Sequence, residues 1–151
     1  MNLITGDEQK TADPRMNAVI DFYKAFNGRE MLLMEQNWSR GDDILMSNPL
    51  GGVKKGWGEI GSVYNNIFNG QATVYVEFYD FTIISTEQMF TIVGRERGSF
   101  NTADMSIELA IRTSRIFNNI NGVWKQTHHH GSIDNPELLQ KYQTAVLKPN
   151  K

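Results

Sequence analysis

The chain has 151 residues, of which 40% are hydrophobic and 21% charged, with 15 Lys+Arg against 17 Asp+Glu and no cysteine. One domain of this length buries roughly 70% of its unfolded surface, so it needs no disulfide or metal staple, and the missing cysteines exclude a disulfide framework, a thiolate zinc site and a Cys nucleophile together. A net charge of −2 with neither half polarised disfavours a nucleic-acid or membrane-surface binder, and three Trp, five Tyr and eight Phe disfavour disorder.

Residues 1–12 are polar and patternless and are expected as a flexible arm. Met1 to Lys10 lacks the basic and apolar stretches of a signal peptide. No apolar run approaches the ~20 residues that span a bilayer, so a soluble cytoplasmic protein is expected.

A helix should open at Asp13-Pro14, where the carboxylate caps free amides and the missing proline N–H costs nothing. Its stripe of Met16, Val19, Ile20, Tyr23 and Phe26 has the spacing of one buried face, and Gly28 ends it. A second helix is expected from Arg29 to about Gln36, with Met31, Leu32 and Met34 inward. A brief strand from Ile44 to Ser47 stops at Asn48-Pro49. The stretch from Gly51 to Gly56 lacks the Gly-Lys-Ser/Thr ending of a phosphate loop and reads as a plain loop. A third helix from Trp57 to Phe68 presents Ile60, Val63, Tyr64, Ile67 and Phe68 on one side.

From Gln71 the apolar period becomes two. Strands are expected from Thr73 to Ile84, Met89 to Arg97, Met105 to Asn118 and Val123 to His130. Thr86-Glu87, a long loop from Gly98 to Asp104, and the hairpin signal Asn119-Ile120-Asn121-Gly122 connect them. The first long strand is apolar on both faces, with Val74, Val76 and Phe78 opposite Tyr75, Tyr79 and Phe81. One face can meet the helices; the other predicts a homodimer through the sheet. A short helix follows Asp134-Asn135-Pro136, with Leu138, Leu139, Tyr142 and Val146 apolar. Helices first and an antiparallel meander after is an α+β plan, with helices packed on one face of a strongly curved sheet. The division is a flexible arm (1–12), one domain (13–133) and a C-terminal helix and tail (134–151).

Three segments together resemble the SnoaL-like branch of the nuclear transport factor 2 superfamily: the amphipathic first helix, Gly56-Trp57-Gly58-Glu59-Ile60, and Arg115 to Ser132. In the last, Arg115-Ile116-Phe117, Asn121-Gly122-Val123-Trp124-Lys125 and His128-His129-His130-Gly131-Ser132 also resemble the closing hairpin of the kinase association (hub) domain. The resemblance covers about residues 14–133. It implies a cone of helices folded over a curved sheet, of the cystatin-like kind, enclosing a pocket and commonly forming a homodimer. Relatives include ketosteroid isomerases, cyclases, epoxide hydrolases and dehydratases, and others that only bind or assemble, so fold does not settle function.

The resemblance to the isomerases implies a carboxylate base beside a proline, and Asn48-Pro49 stands there; an amide cannot accept the proton. Phe22 stands at the position of the isomerase tyrosine, with Tyr23 one step off, and Ser114 at that of the aspartate, which argues against steroid isomerase chemistry. His128 and His130 share a strand face with Ser132, while His129 points the other way. They read as contacts near the pocket rim, as an acid/base, or as a two-His metal site without a third ligand at a recognisable spacing. Arg115 shares parity with Ile107, Leu109 and Ile111. It is either the anchor of an anionic ligand, as the resemblance to the hub domain implies, or a member of an internal ion pair with Glu77. Tyr23, Trp38, Trp57 and Tyr64 are pocket walls or core. Lys54-Lys55 and Arg95-Glu96-Arg97 read as solvated charges, and no Ser-His-Asp order is present.

These readings give a homodimer that binds a small, largely apolar ligand with an anionic or carbonyl group. No cofactor, metal, nucleic acid or membrane is expected. The alternatives are an isomerase, dehydratase or cyclase using a pocket histidine, and a hub module without catalysis.

Overall fold

Asp13 accepts a hydrogen bond from the Arg15 amide and Pro14 opens helix α1 (Pro14–Asn27), which closes at Gly28. The computed structural model describes residues 2–147. Helix α2 (Met31–Asn37), strand β2 (Leu45–Ser47) and strand β3 (Lys54–Lys55) follow, then helix α3 (Gly56–Phe68). Four long strands come next: β4 (Thr73–Ser85), β5 (Met89–Asn101), β6 (Ser106–Ile120) and β7 (Val123–Ser132), before helix α4 (Pro136–Val146). A short strand β1 (Leu3–Ile4) precedes them all. The seven strands form one sheet in the order β1-β4-β5-β6-β7-β2-β3, antiparallel except where β2 runs parallel to β7. Among the described residues no helix is long and apolar enough to cross a membrane.

The helices cover one sheet face. Val19, Ile20, Phe22, Tyr23 and Ala25 of α1 and Ile60, Tyr64 and Phe68 of α3 are buried against Val76, Phe78, Phe90, Ile92, Ile107 and Phe117 of the strands. Leu32 departs from its expected inward place: it is 68% exposed, because α2 is short and turns only Met34 and Asn37 fully inward.

The first residues are no loose arm where the sheet offers them an edge. Leu3 and Ile4 pair with Tyr79 and Phe78, and Ile4 is buried. Gly6, at φ +100°, passes so close to α1 that a Cβ there would lie 2.4 Å from the Lys24 nitrogen. Only glycine fits such an approach. The Asn27 side chain then works like one more residue of strand: its Nδ2 donates to the carbonyls of Thr5 and Val76, and its Oδ1 accepts from the Val76 amide.

Strands β5 and β6 run past the loop expected from Gly98, leaving a turn at residues 102–105 closed by the Thr102 amide on the Met105 carbonyl. Gly98 stays inside the strand because β4 crosses it closely; a Cβ there would fall 1.8 Å from the Tyr75 carbonyl oxygen. Two irregularities shift side-chain parity. At Asp80, with φ +52°, β4 slips register between Tyr79 and Thr82. Phe81 therefore turns away from the face expected of it and stacks on Phe78, with ring centroids 5.0 Å apart. The second lies in β7, where Thr127 has no partner between the pairs Ile116–His128 and Phe117–Gln126.

Helix α4 is capped by Asn135, whose Oδ1 accepts from the Glu137 and Leu138 amides. It leans on the domain through Leu138, Leu139, Tyr142, Ala145 and Val146, none fully buried. The Tyr142 ring meets Phe100 edge-on at 5.9 Å, and Gln143 Nε2 donates to the Pro49 carbonyl. The tail expected after this helix lies outside the described residues from 148 onward.

Candidate functional site

Odd residues of β6 face inward without interruption from Ile107 to Phe117, and this parity carries Arg115 into the core. A buried guanidinium needs acceptors. Its Nη2 meets Glu96 Oε2 at 3.2 Å, Nη1 donates to Gln126 Oε1 at 2.9 Å, and Nε donates to the Tyr23 hydroxyl at 3.4 Å. Tyr23 in turn donates to Glu96 Oε2 at 2.5 Å. Gln126 Nε2 donates to Asn37 Oδ1, and Asn37 Nδ2 to the Ala18 carbonyl. The guanidinium carbon also lies over the Phe22 ring, 3.6 Å from its centroid.

Arg115 is thus an internal ion-pair member, but its partner is Glu96 rather than Glu77, which binds Arg97 on the outer face. The reading of Arg95-Glu96-Arg97 as three solvated charges fails at its middle residue. Arg95 and Arg97 are exposed, while Glu96 takes the inward parity of Phe90, Ile92 and Phe100. Burial works against the Arg115 charge, yet Tyr23 and Glu96 beside it keep the guanidinium firmly protonated. Burial and the Glu96 charge hold the Tyr23 phenol well above its ordinary range.

Beside the pair lies a corner of donors. The Trp38 and Tyr64 rings are 6.3 Å apart, and both residues are buried. The Tyr64 hydroxyl lies near Trp38 Nε1 and the Arg115 guanidinium, but neither the hydroxyl nor the indole N–H has a properly formed hydrogen bond. Thr113 Oγ1, two residues along the inward face from Arg115, is also buried without a partner. Burial pushes the Tyr64 phenol up to about 12, so it stays protonated and a donor.

Of the nine residues expected in the pocket, Tyr23, Trp38, Tyr64 and Arg115 come together here. The other five do not join them. Asn48 closes a turn, its Oδ1 accepting from the Leu50 amide. Trp57 is half-buried with the Arg40 guanidinium 5.9 Å from its ring. His128, His130 and Ser132 lie on the outer face, where Ser132 Oγ accepts from Arg112 Nε and His128 Nδ1 contacts the Leu45 carbonyl. The reason is Thr127. A bulge puts two consecutive residues on one face, so Thr127 and His128 both look outward and Gln126 and His129 both look inward. His129, expected outside, is 7% exposed. Burial and the nearby Arg115 charge hold its imidazole well below the usual range, so it is neutral.

Two surface clefts flank the cone. One of about 330 Å³ lies between α1, α2 and the start of β7, with Asn37 in its lining. The other, about 590 Å³, opens on the outer face around Leu45, Ile116, Thr127 and His128. Among the described residues no group of three or more His, Asp or Glu could hold a metal ion.

Helices over one face of a curled sheet, with a charged pair inside, invite comparison with known proteins. Residues 16–136 match the SnoaL-like domain. The chain belongs to the SnoaL-like family. No curated protein matches this SnoaL-like chain. Solved structures of similar fold include one from Thiobacillus denitrificans, provisionally described as a calcium/calmodulin-dependent protein kinase type II association domain. It is 20% identical, with a TM-score of 0.64 over 82% of this chain and 98% of that one. A provisionally described dehydratase of the NTF2-like family from Streptomyces avermitilis is 18% identical, with a TM-score of 0.70 over 79% of this chain and 92% of that one. An uncharacterised protein with a cystatin-like fold from Caulobacter vibrioides is 15% identical, with a TM-score of 0.68 over 89% and 96%. At these identities the likeness is one of fold, and the function of this SnoaL-like domain has to be argued from its own residues.

Proposed function

We propose that this SnoaL-like protein binds a small, largely apolar, neutral molecule inside the cone and holds its carbonyl oxygen with Trp38 Nε1 and the Tyr64 hydroxyl. The observation that carries the reading is that the buried Trp38 Nε1 and Tyr64 hydroxyl, close to each other, form no well-aligned hydrogen bond within the protein. Buried polar groups almost always find partners, and each one left without costs about 1–3 kcal/mol. A carbonyl oxygen between the two donors removes that cost, while Phe22, Tyr23 and Ile60 supply apolar walls. An anionic ligand fits less well, because the Arg115 charge is already matched by Glu96. Histidine acid/base chemistry also loses support, since His128 and His130 are on the outer face and His129 is neutral against Arg115.

Thermal shift with three probes of one size tests the reading. Acetophenone, with a carbonyl, should stabilise the protein more than ethylbenzene, without one, and benzoate should not stabilise it. Trp38→Phe and Tyr64→Phe should each weaken acetophenone binding about three- to tenfold, the worth of one neutral hydrogen bond. Equal shifts by acetophenone and ethylbenzene, or a preference for benzoate, would overturn it.

The same proposal includes a homodimer through the outer sheet face. Leu45, Met89 and Val93 there are 37%, 41% and 42% exposed, an apolar surface that a second copy would cover.

A further inference from the structure

We propose that the cleft between α1, α2 and the start of β7 binds a free α-amino acid with an apolar side chain, its ammonium on Asp21 and its carboxylate on Lys125. This site does not depend on the carbonyl reading above. The cleft holds about 330 Å³, near the lower end of the roughly 300–1,000 Å³ of small-molecule sites. Asp21 of α1 and Lys125 of β7 both line it, yet among the described residues no ion pair joins them. Each is held instead on its own wall. Lys10 pairs with Asp21 at Oδ1, and Lys125 Nζ donates to the Gln36 carbonyl near the end of α2. Opposite charges tethered across one cleft form a preorganised receptor for a molecule that carries both signs.

The chemistry of the lining argues against other occupants. Its two asparagines are already engaged: Asn37 donates to the Ala18 carbonyl and accepts from Gln126, and Asn17 bonds Thr11 through both its amide atoms. A neutral polar ligand therefore gains little from them. A simple anion attracted by Lys125 is repelled by Asp21, and a simple cation attracted by Asp21 is repelled by Lys125. A hydrocarbon would cover both charges and compensate neither. A zwitterion meets both at once. Lys125 spends one of its three ammonium donors on Gln36 and has two for a carboxylate. Lys10 takes one oxygen of Asp21, and the ligand ammonium takes the other. Both charges of an α-amino acid sit beside one carbon, which suits so small a cleft. Its side chain then lies against Ala18, Leu33 and Trp124, the half-buried apolar part of the lining.

Nuclear magnetic resonance titration of the full chain with L-leucine, L-leucinamide and N-acetyl-L-leucine tests this. Leucinamide lacks the carboxylate, and N-acetyl-leucine lacks the ammonium. Leucine should shift the backbone amides from Gly122 to Lys125 and bind about tenfold more tightly than either derivative, the size of effect a hydrogen bond to a charged group gives. Lys125→Met should erase the preference over leucinamide and keep the preference over N-acetyl-leucine. Asp21→Asn should do the reverse. A general loosening of the cleft would not produce that crossed pattern. Should either variant fail to fold, the comparison of the three compounds in the natural chain decides alone. No shift with leucine, equal affinities for all three compounds, or preferences that both variants leave intact each overturn the site.

Discussion

Glu96 and Arg115 stand on neighbouring strands with their charged atoms 3.2 Å apart, and their side chains are 6% and 4% exposed. Desolvation offsets much of the attraction in such a pair, whereas removing one member leaves a bare buried charge. Arg115→Met alone should therefore destabilise the protein by about 3–5 kcal/mol in urea denaturation. Adding Glu96→Leu should recover a large part of that loss. A double variant no more stable than Arg115→Met would mean that Gln126 and Tyr23, rather than the charge pair, dominate the packing here.

Acid should unfold this protein partly through one histidine. His129 is held well below the usual imidazole range by burial and by Arg115. Between that depressed value and the ~6.5 of an unfolded histidine, the unfolded chain binds the extra proton. Stability must therefore rise with pH through this window and fall as pH drops below ~6.5. Melting temperatures from pH 7.5 down to roughly pH 5 should decline, and less steeply in His129→Asn. An unchanged slope in that variant would remove His129 from the account.

The Asn27 amide bridges the end of β1 to β4 by bonding both polar groups of the Val76 backbone. Asn27→Ala leaves those groups and the Thr5 carbonyl short of partners, at an expected cost of about 1–3 kcal/mol. Amide exchange at Val76 should accelerate before exchange in β6 does. Uniform acceleration across the sheet would show that the first residues and the sheet open together.

Helix and strand positions were legible in the sequence where a single local cause sets them. Asp13-Pro14 and Asn135-Pro136 start helices by capping, and Asn121-Gly122 turns a hairpin, with both residues at positive φ. Arg115 was legible as an inward cation because nothing disturbs β6 parity before it. Glu96 had a signal of the same kind, the spacing Phe90-Ile92-Gly94-Glu96-Gly98-Phe100. Two glycines interrupt the apolar row there, and the flanking arginines disguise the carboxylate as surface. Phe81 and the three histidines were misread for another reason. Each lies beyond a register shift, at Asp80 or Thr127, whose cause is a tertiary fit between strands. Period-two counting cannot see such a shift, and every residue past it is assigned to the wrong face.

The outer face offers a direct test of assembly. Val93→Lys puts a charge at the centre of the exposed apolar surface, with Ile116 nearby on the next strand. Fold stability should change by no more than about 0.5 kcal/mol, as for other exposed positions. Sedimentation should show a dimer for the natural chain and a monomer for the variant. A natural chain that sediments as a monomer would refute the homodimer.

Thr127 marks the point where β7 carries one residue more than β6 needs. It has no register partner, so deleting it would leave Gln126 opposite Phe117 and His128 opposite Ile116, each on the face it now takes, and would turn a bulged strand into a regular one. A codon lost here would therefore pass unnoticed by the interior, where Gln126 would still accept from Arg115, and would register only in the local twist of the sheet. Two chains of this fold that differ in length at this point can share one interior.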